Sequence, residues 1–144
     1  MTADEVIALL DLAPHPEGGW YRQTWVAETK GDARASGTCI YFLLEPGERS
    51  HWHQVDAVEI WHHYAGAALT LRVSETREGP ASRVTLGRDL IAGERPQVIV
   101  PKDAWQSAKN TSGKDWSLVG CSVSPGFRFD GFVLADLDFD IPEQ

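Results

Sequence analysis

The sequence predicts an all-β barrel or jelly roll with one short helix at its start. Three observations carry this. Short runs of alternating, β-branched or aromatic residues recur along the chain, and Gly- and Pro-centred breaks separate them at close intervals. No long helix alternates with them, which argues against a parallel α/β sheet. The chain has 144 residues, 42% of them hydrophobic and 24% charged, enough to bury a core and too apolar for disorder. No internal repeat or linker divides it, so one domain is expected over residues 1–144.

The helix is read over Thr2 to Leu12. Thr2 and Glu5 make a capping box, and Ala3, Val6, Ile7, Leu9 and Leu10 set an apolar stripe at helical spacing. Ala13 to Gly19 ends it with two prolines and two glycines, a stiff turn in which His15 is read as bonding to backbone. Trp20 to Ala27 alternates as a strand but mixes aromatics with Arg22 and Gln23 on its faces, as an edge or interface strand does. Glu28 to Ser36 is polar and reads as an exposed loop. Thr38 to Leu44 is a strong strand, apolar on both faces. After the Glu45–Glu48 turn, Gly47 to Gly66 reads as strand, short turn, strand. Ala68 to Val73 has the pattern of a hairpin partner, and a loop with Gly79-Pro80 leads to the strand Ser82 to Leu86. Gln97 to Val100 and Trp105 to Ala108 are further strands. Asn110 to Asp115 reads as a hairpin loop before the strong strand Trp116 to Val123. Phe127 to Leu137 mixes aromatics and acids and fits a strand or a short helix. The acidic tail, Asp138 to Gln144, is expected to fray.

Charge and sequence runs narrow the partners. The net charge of −8, with no run of Lys or Arg, opposes binding to nucleic acid or an acidic membrane. The longest apolar run, Cys39 to Leu44, is too short to span a bilayer. Met1 to Glu5 lacks the basic segment of a signal peptide, and Cys39 and Cys121 read as buried free thiols. A cytoplasmic protein with a small-molecule partner is expected.

Gly47 to Gly66 holds four of the five histidines. His51 and His53 are two apart, so a strand would send both imidazoles to one face, and Glu59 follows beyond a short turn. Two imidazoles and a carboxylate can hold a divalent transition metal with positions left open.

The same stretch resembles the first cupin motif, with Gly47, His51, His53, Glu59 and Gly66 in its places. Pro101 to Gln106 with Asn110 resembles the second, although Asp103 stands for the usual Gly and Gln106 for the usual His. The segments His15-Pro16-Glu17-Gly18-Gly19, His53 with Glu59-Ile60-Trp61-His62, Pro101 with Trp105-Gln106, and Ser122 to Phe127 resemble cupin superfamily 5, once a domain of unknown function. His51 departs from that group. The resemblance implies a double-stranded β-helix and a homodimer. Trp20 to Ala27, with aromatics on both faces, suits a strand that adds to a partner's sheet.

On such a fold, three functions are expected as alternatives. The first is an enzyme acting on a small polar or sugar-like substrate with a divalent metal (zinc, nickel, iron or manganese). Its ligands would be His51, His53 and Glu59, with Gln106 fourth or in support. The second is a ligand-binding or sensor module without turnover. The third is a metal-free isomerase like the sugar-nucleotide epimerases, with His53 or His63 as general base and Glu59 orienting it. Alternation from Glu59 sends Trp61 and His63 inward. Trp61 and Trp105, with Tyr41 and Gln106, are the expected ligand-binding residues.

Overall fold

Helix α1 (Ala3–Leu10) starts at Thr2, whose Oγ1 accepts from the Glu5 amide at 3.2 Å, and ends at Asp11 in the left-handed conformation (φ 55°). The structure, a computed structural model, describes residues 1–144. Eleven strands follow the helix: β1 (Ala13–Pro14), β2 (Trp20–Val26), β3 (Thr38–Leu44), β4 (Arg49–Val55), β5 (Val58–Gly66), β6 (Leu69–Ser74), β7 (Ser82–Leu86), β8 (Gln97–Val100), β9 (Trp105–Lys109), β10 (Ser117–Ser124) and β11 (Phe132–Leu134). They pair antiparallel in two sheets, ordered β1-β2-β3-β10-β5-β8 and β11-β4-β9-β6-β7. This is the all-β jelly roll with a short N-terminal helix that the strand pattern predicts, in the double-stranded β-helix form that the family resemblance implies. No helix is long and apolar enough to cross a membrane.

Alternation along the strands fills the space between the sheets. Phe42, Leu44, Trp61, Leu69, Leu71, Leu86, Val100, Val119 and Cys121 point inward and form the largest apolar cluster. Towards the other end, β3, β5 and β10 carry smaller or polar inward residues, Thr38, Ile40, Glu59 and Val123, and β4 adds His53 and Val55. One end of the barrel is therefore packed solid and the other encloses a cavity.

Several local expectations are corrected. Ala68 to Val73 is not the hairpin partner of β5, because β6 lies in the opposite sheet against β7 and β9. Likewise Asn110 to Asp115 is a crossover, since β9 pairs with β4 and β6 while β10 pairs with β3 and β5. Turn residues mark a reversal but not the sheet the chain joins next. Buried Asn110 builds this crossing, donating to Leu44 O at 3.1 Å and Asp115 O at 2.8 Å. The acidic tail does not fray. Ile141 is fully buried, Arg72 bonds Asp140 at 2.9 Å, and Arg83 reaches Glu143 at 2.8 Å. Its acids meet arginines on the outer face of the five-stranded sheet. Phe127 to Leu137 holds both candidate structures, a 3-10 turn (Phe129–Gly131) and then β11. Strand β2 pairs with β3 of its own chain, bulging between Gln23 and Trp25, and β1 covers only its residues Trp20 and Tyr21.

Candidate functional site

The loop between β1 and β2 shapes the open end of the barrel. The His15 amide donates to Gly19 O at 2.9 Å, and the Gly18 amide to His15 O at 3.0 Å. The His51 amide donates to Glu17 O at 2.8 Å, which fastens the loop to β4. Contact is so close that a Cβ on Gly18, at φ 107°, would stand 2.2 Å from Arg49 O. The tight turn drives the Glu17 side chain into the cavity, where its Oε2 accepts from the Ser50 hydroxyl and lies 3.5 Å from His53 Nδ1.

The cavity has a volume of about 110 Å³. His15, Glu17, His53 and Glu59 supply its polar wall; Tyr21, Ile40, Val55, Val123, Phe127 and Phe129 supply the apolar one. Gln23 and the 53%-exposed Phe129 stand at the mouth. His53 is 1% exposed, with Phe132 tilted against its ring at 5.4 Å. His53 Nδ1 lies 2.7 Å from His51 O, and because a carbonyl only accepts, the proton sits on Nδ1. That tautomer leaves the Nε2 lone pair without a protein partner. Glu59 Oε1 accepts from Gln106 Nε2 at 2.8 Å, while Gln106 Oε1 accepts from Trp61 Nε1 at 2.8 Å. Trp61 thus fixes the amide of Gln106, and Gln106 fixes the carboxyl of Glu59.

Burial governs the charges here. It raises Glu17 to about 8 against the hydrogen bond from Ser50. It raises Glu59 to about 7, with His53 and Gln106 pulling down and Glu17 pushing up. Burial lowers His53, opposed by the Glu59 charge, and lowers His15 to about 4 with help from His53. His15 Nδ1 also accepts from the Glu17 amide at 3.1 Å. Burial pushes the Cys121 thiol beside Glu59 well above its usual range. The arrangement is two neutral imidazoles with two carboxyls that titrate near neutrality, a set matched to proton transfer.

Of the candidate site residues, His53 and Glu59 line this cavity, Gln106 stands directly behind Glu59 as its hydrogen-bond donor, and the others stand elsewhere. A bulge in β4 against β9, between Ser50 and His53, breaks the alternation. Ser50 and His53 both reach Glu17, while His51 turns to the outer face and bonds Asp136 O through Nε2 at 2.7 Å. His63 is half-buried and donates from Nε2 to Ala67 O at 3.1 Å, where β10 slips its register against β5. Trp61 is core, Trp105 packs with Trp52 and Ile141 beneath the tail, and Tyr41 meets Tyr64 edge to face on the outer surface. Glu17 and Ser50 were missed, and His15 was read only as a turn residue. The signal was the His15–Gly19 segment, whose adjacent glycines press an acid against a neighbouring strand.

The metal donors offered by the cupin motifs do not fit a metal ion. His51 faces away from His53, the Gln106 oxygen is occupied by Trp61, and no three His, Cys, Asp or Glu side chains form a metal-holding group.

A double-stranded β-helix with a polar pocket at its open end defines a cupin. The chain belongs to the family described as Cupin superfamily (DUF985), whose model matches residues 4–135. It is similar to a solved protein from Shewanella oneidensis, 44% identical over 94% of this chain and 85% of that one, with a TM-score of 0.87. A hypothetical protein from Leishmania major is 33% identical over 92% of this chain and 86% of its own, with a TM-score of 0.81. Oxalate decarboxylase from Bacillus subtilis shares 12% identity over 84% of this chain and 29% of its own, at a TM-score of 0.64, a likeness of fold alone. No curated protein matches the sequence.

Proposed function

We propose that this cupin is a metal-free enzyme that moves a proton on a small molecule held in the cavity. One observation carries the reading: His53 lines the cavity with its Nδ1–H held on His51 O at 2.7 Å, and its Nε2 makes no hydrogen bond within the protein. In this reading Nε2 takes a proton from a carbon next to a carbonyl. The developing imidazolium is stabilised by the Glu17 and Glu59 carboxyls. A carboxyl that still carries its proton donates it to the substrate oxygen, and return of the two protons restores the site. This deepens the isomerase alternative and sets aside the metal-assisted one, because His51 turns away to Asp136 O and the Gln106 oxygen is taken by Trp61.

The test is deuterium uptake from heavy water by a panel of small carbon acids, with chelator present. The native chain is expected to catalyse exchange, and His53→Asn to lose it by on the order of a hundredfold or more. Exchange abolished by chelator would return the metal reading. Ligand bound without exchange would favour the sensor reading. The chain is further proposed to work as a cytoplasmic homodimer. In support, both thiols are free, and the β2 edge beyond Tyr21 is unpaired, with Trp25 54% exposed.

A further inference from the structure

We infer that the cavity selects a small molecule bearing a positively charged nitrogen, of the amine or amidine class, over carboxylates and phosphates. This rests on the reading of the cavity as the ligand site. Among the 12 residues lining it there is no Lys or Arg, yet two are glutamates. Three arginines lie next to lining residues in sequence or pack beside the cavity's walls, and all three are tied elsewhere. Arg22 is held by Asp11 at 2.5 Å, Arg34 by Asp56 at 2.7 Å, and Arg128 by Asp32 O at 2.7 Å. An anion entering would lose its hydration and find no opposite charge. A cation would find Glu17, Glu59, the aromatic side chains of Tyr21, Phe127 and Phe129, and His53, whose Nε2 makes no hydrogen bond within the protein. His53 is 1% exposed and unpartnered at that atom, so the wall is already built to accept a hydrogen bond from an N–H.

Size sets the rest of the ligand. A cavity of about 110 Å³ is smaller than one of roughly 150 Å³ that holds benzene. A head group of a few heavy atoms fits inside, and any longer chain leaves between Gln23 and Phe129. Binding also moves protons. The groups facing the two carboxyls are His15, His53, Ser50, Gln106 and Cys121, none of them cationic at neutral pH. An ammonium would therefore be the first positive charge to reach Glu17 and Glu59, and it would expel a proton as they ionise.

The test uses propylammonium, propanol and propionate, probes of matched size. Each is titrated into the native chain and into Glu17→Gln and Glu59→Gln, with binding followed by NMR shifts of the cavity residues and by calorimetry in two buffers. Propylammonium is expected to bind on the order of tenfold more tightly than propanol or propionate, with proton release. Each variant, folded by near-ultraviolet circular dichroism, is expected to lose about that factor. Equal binding of the three, tighter binding of propionate, or no shift from propylammonium at millimolar concentration would overturn the inference. Binding is read without turnover, so charge selection and proton transfer can fail separately.

Discussion

At pH 7 most Glu17 carboxyls keep their proton, because burial raises the group to about 8. The same shift makes stability depend on pH. Below about 4.5 the carboxyl is protonated in both states. Between there and about 8 the unfolded chain ionises while the native chain keeps its proton, so native stability falls as pH rises. Glu59, raised to about 7, acts in the same direction. His15 acts in the opposite one: between about 4 and 6.5 the unfolded imidazole binds a proton that the native site refuses. The carboxyl effect is therefore unopposed from 6.5 to 8. Across that window the native melting temperature is expected to fall. In Glu17→Gln it is expected to fall less, by the equivalent of about 1 kcal/mol or more, since one pKa unit is worth about 1.4 kcal/mol. Parallel melting profiles for the two proteins would contradict the burial of this acid.

At the scale of elements, the β1–β2 loop and the β4 bulge decide which side chains meet. The Gly18 position admits no Cβ without moving Arg49 O, 2.2 Å away. Gly18→Ala is expected to cost about 1–3 kcal/mol in denaturant unfolding and to pull Glu17 from Ser50. A variant as stable as the native chain would show that the loop is not seated on β4 as described. These elements also explain what was legible in the sequence. The strands were readable because β-branched and aromatic residues alternate, and inward positions such as Ile40, Phe42 and Trp61 follow that period. His53 and Glu59 were visible as a spaced imidazole and carboxyl. The exclusion of His51 was not, because a bulge depends on the register with β9, which no local pattern encodes. Glu17 was hidden for a related reason: it comes from 36 residues before His53 and reaches it only through a loop folded onto β4.

On the scale of the whole molecule, sheet membership was the least readable feature. The passages from β5 to β6 and from β9 to β10 carry turn residues but change sheets. The docked tail needed arginines from β6 and β7 to become ordered. The outer surface bears on assembly. Trp25 (54% exposed) and Val26 (48%) on the free part of β2 adjoin a surface groove that also takes in Val58 and Ile60. A symmetric pair of chains joined there would cover them. Sedimentation equilibrium at micromolar concentration is expected to give twice the chain mass, and Trp25→Arg to shift the mass towards the monomer. A monomeric native chain would refute the pairing, and a dimer untouched by Trp25→Arg would move it to another face.

In the proposed chemistry His53 works as a neutral imidazole with a bare Nε2. Nitrogen-15 NMR of the His53 ring, recorded through neutral pH with and without added zinc, tests it most directly. The expected result is a proton fixed on Nδ1, an Nε2 with the shift of a bare lone pair, no imidazolium at neutral pH, and no response to the metal. An Nε2 signal that moves to the metal-bound position with zinc, or a ring protonated on both nitrogens at pH 7, would contradict it.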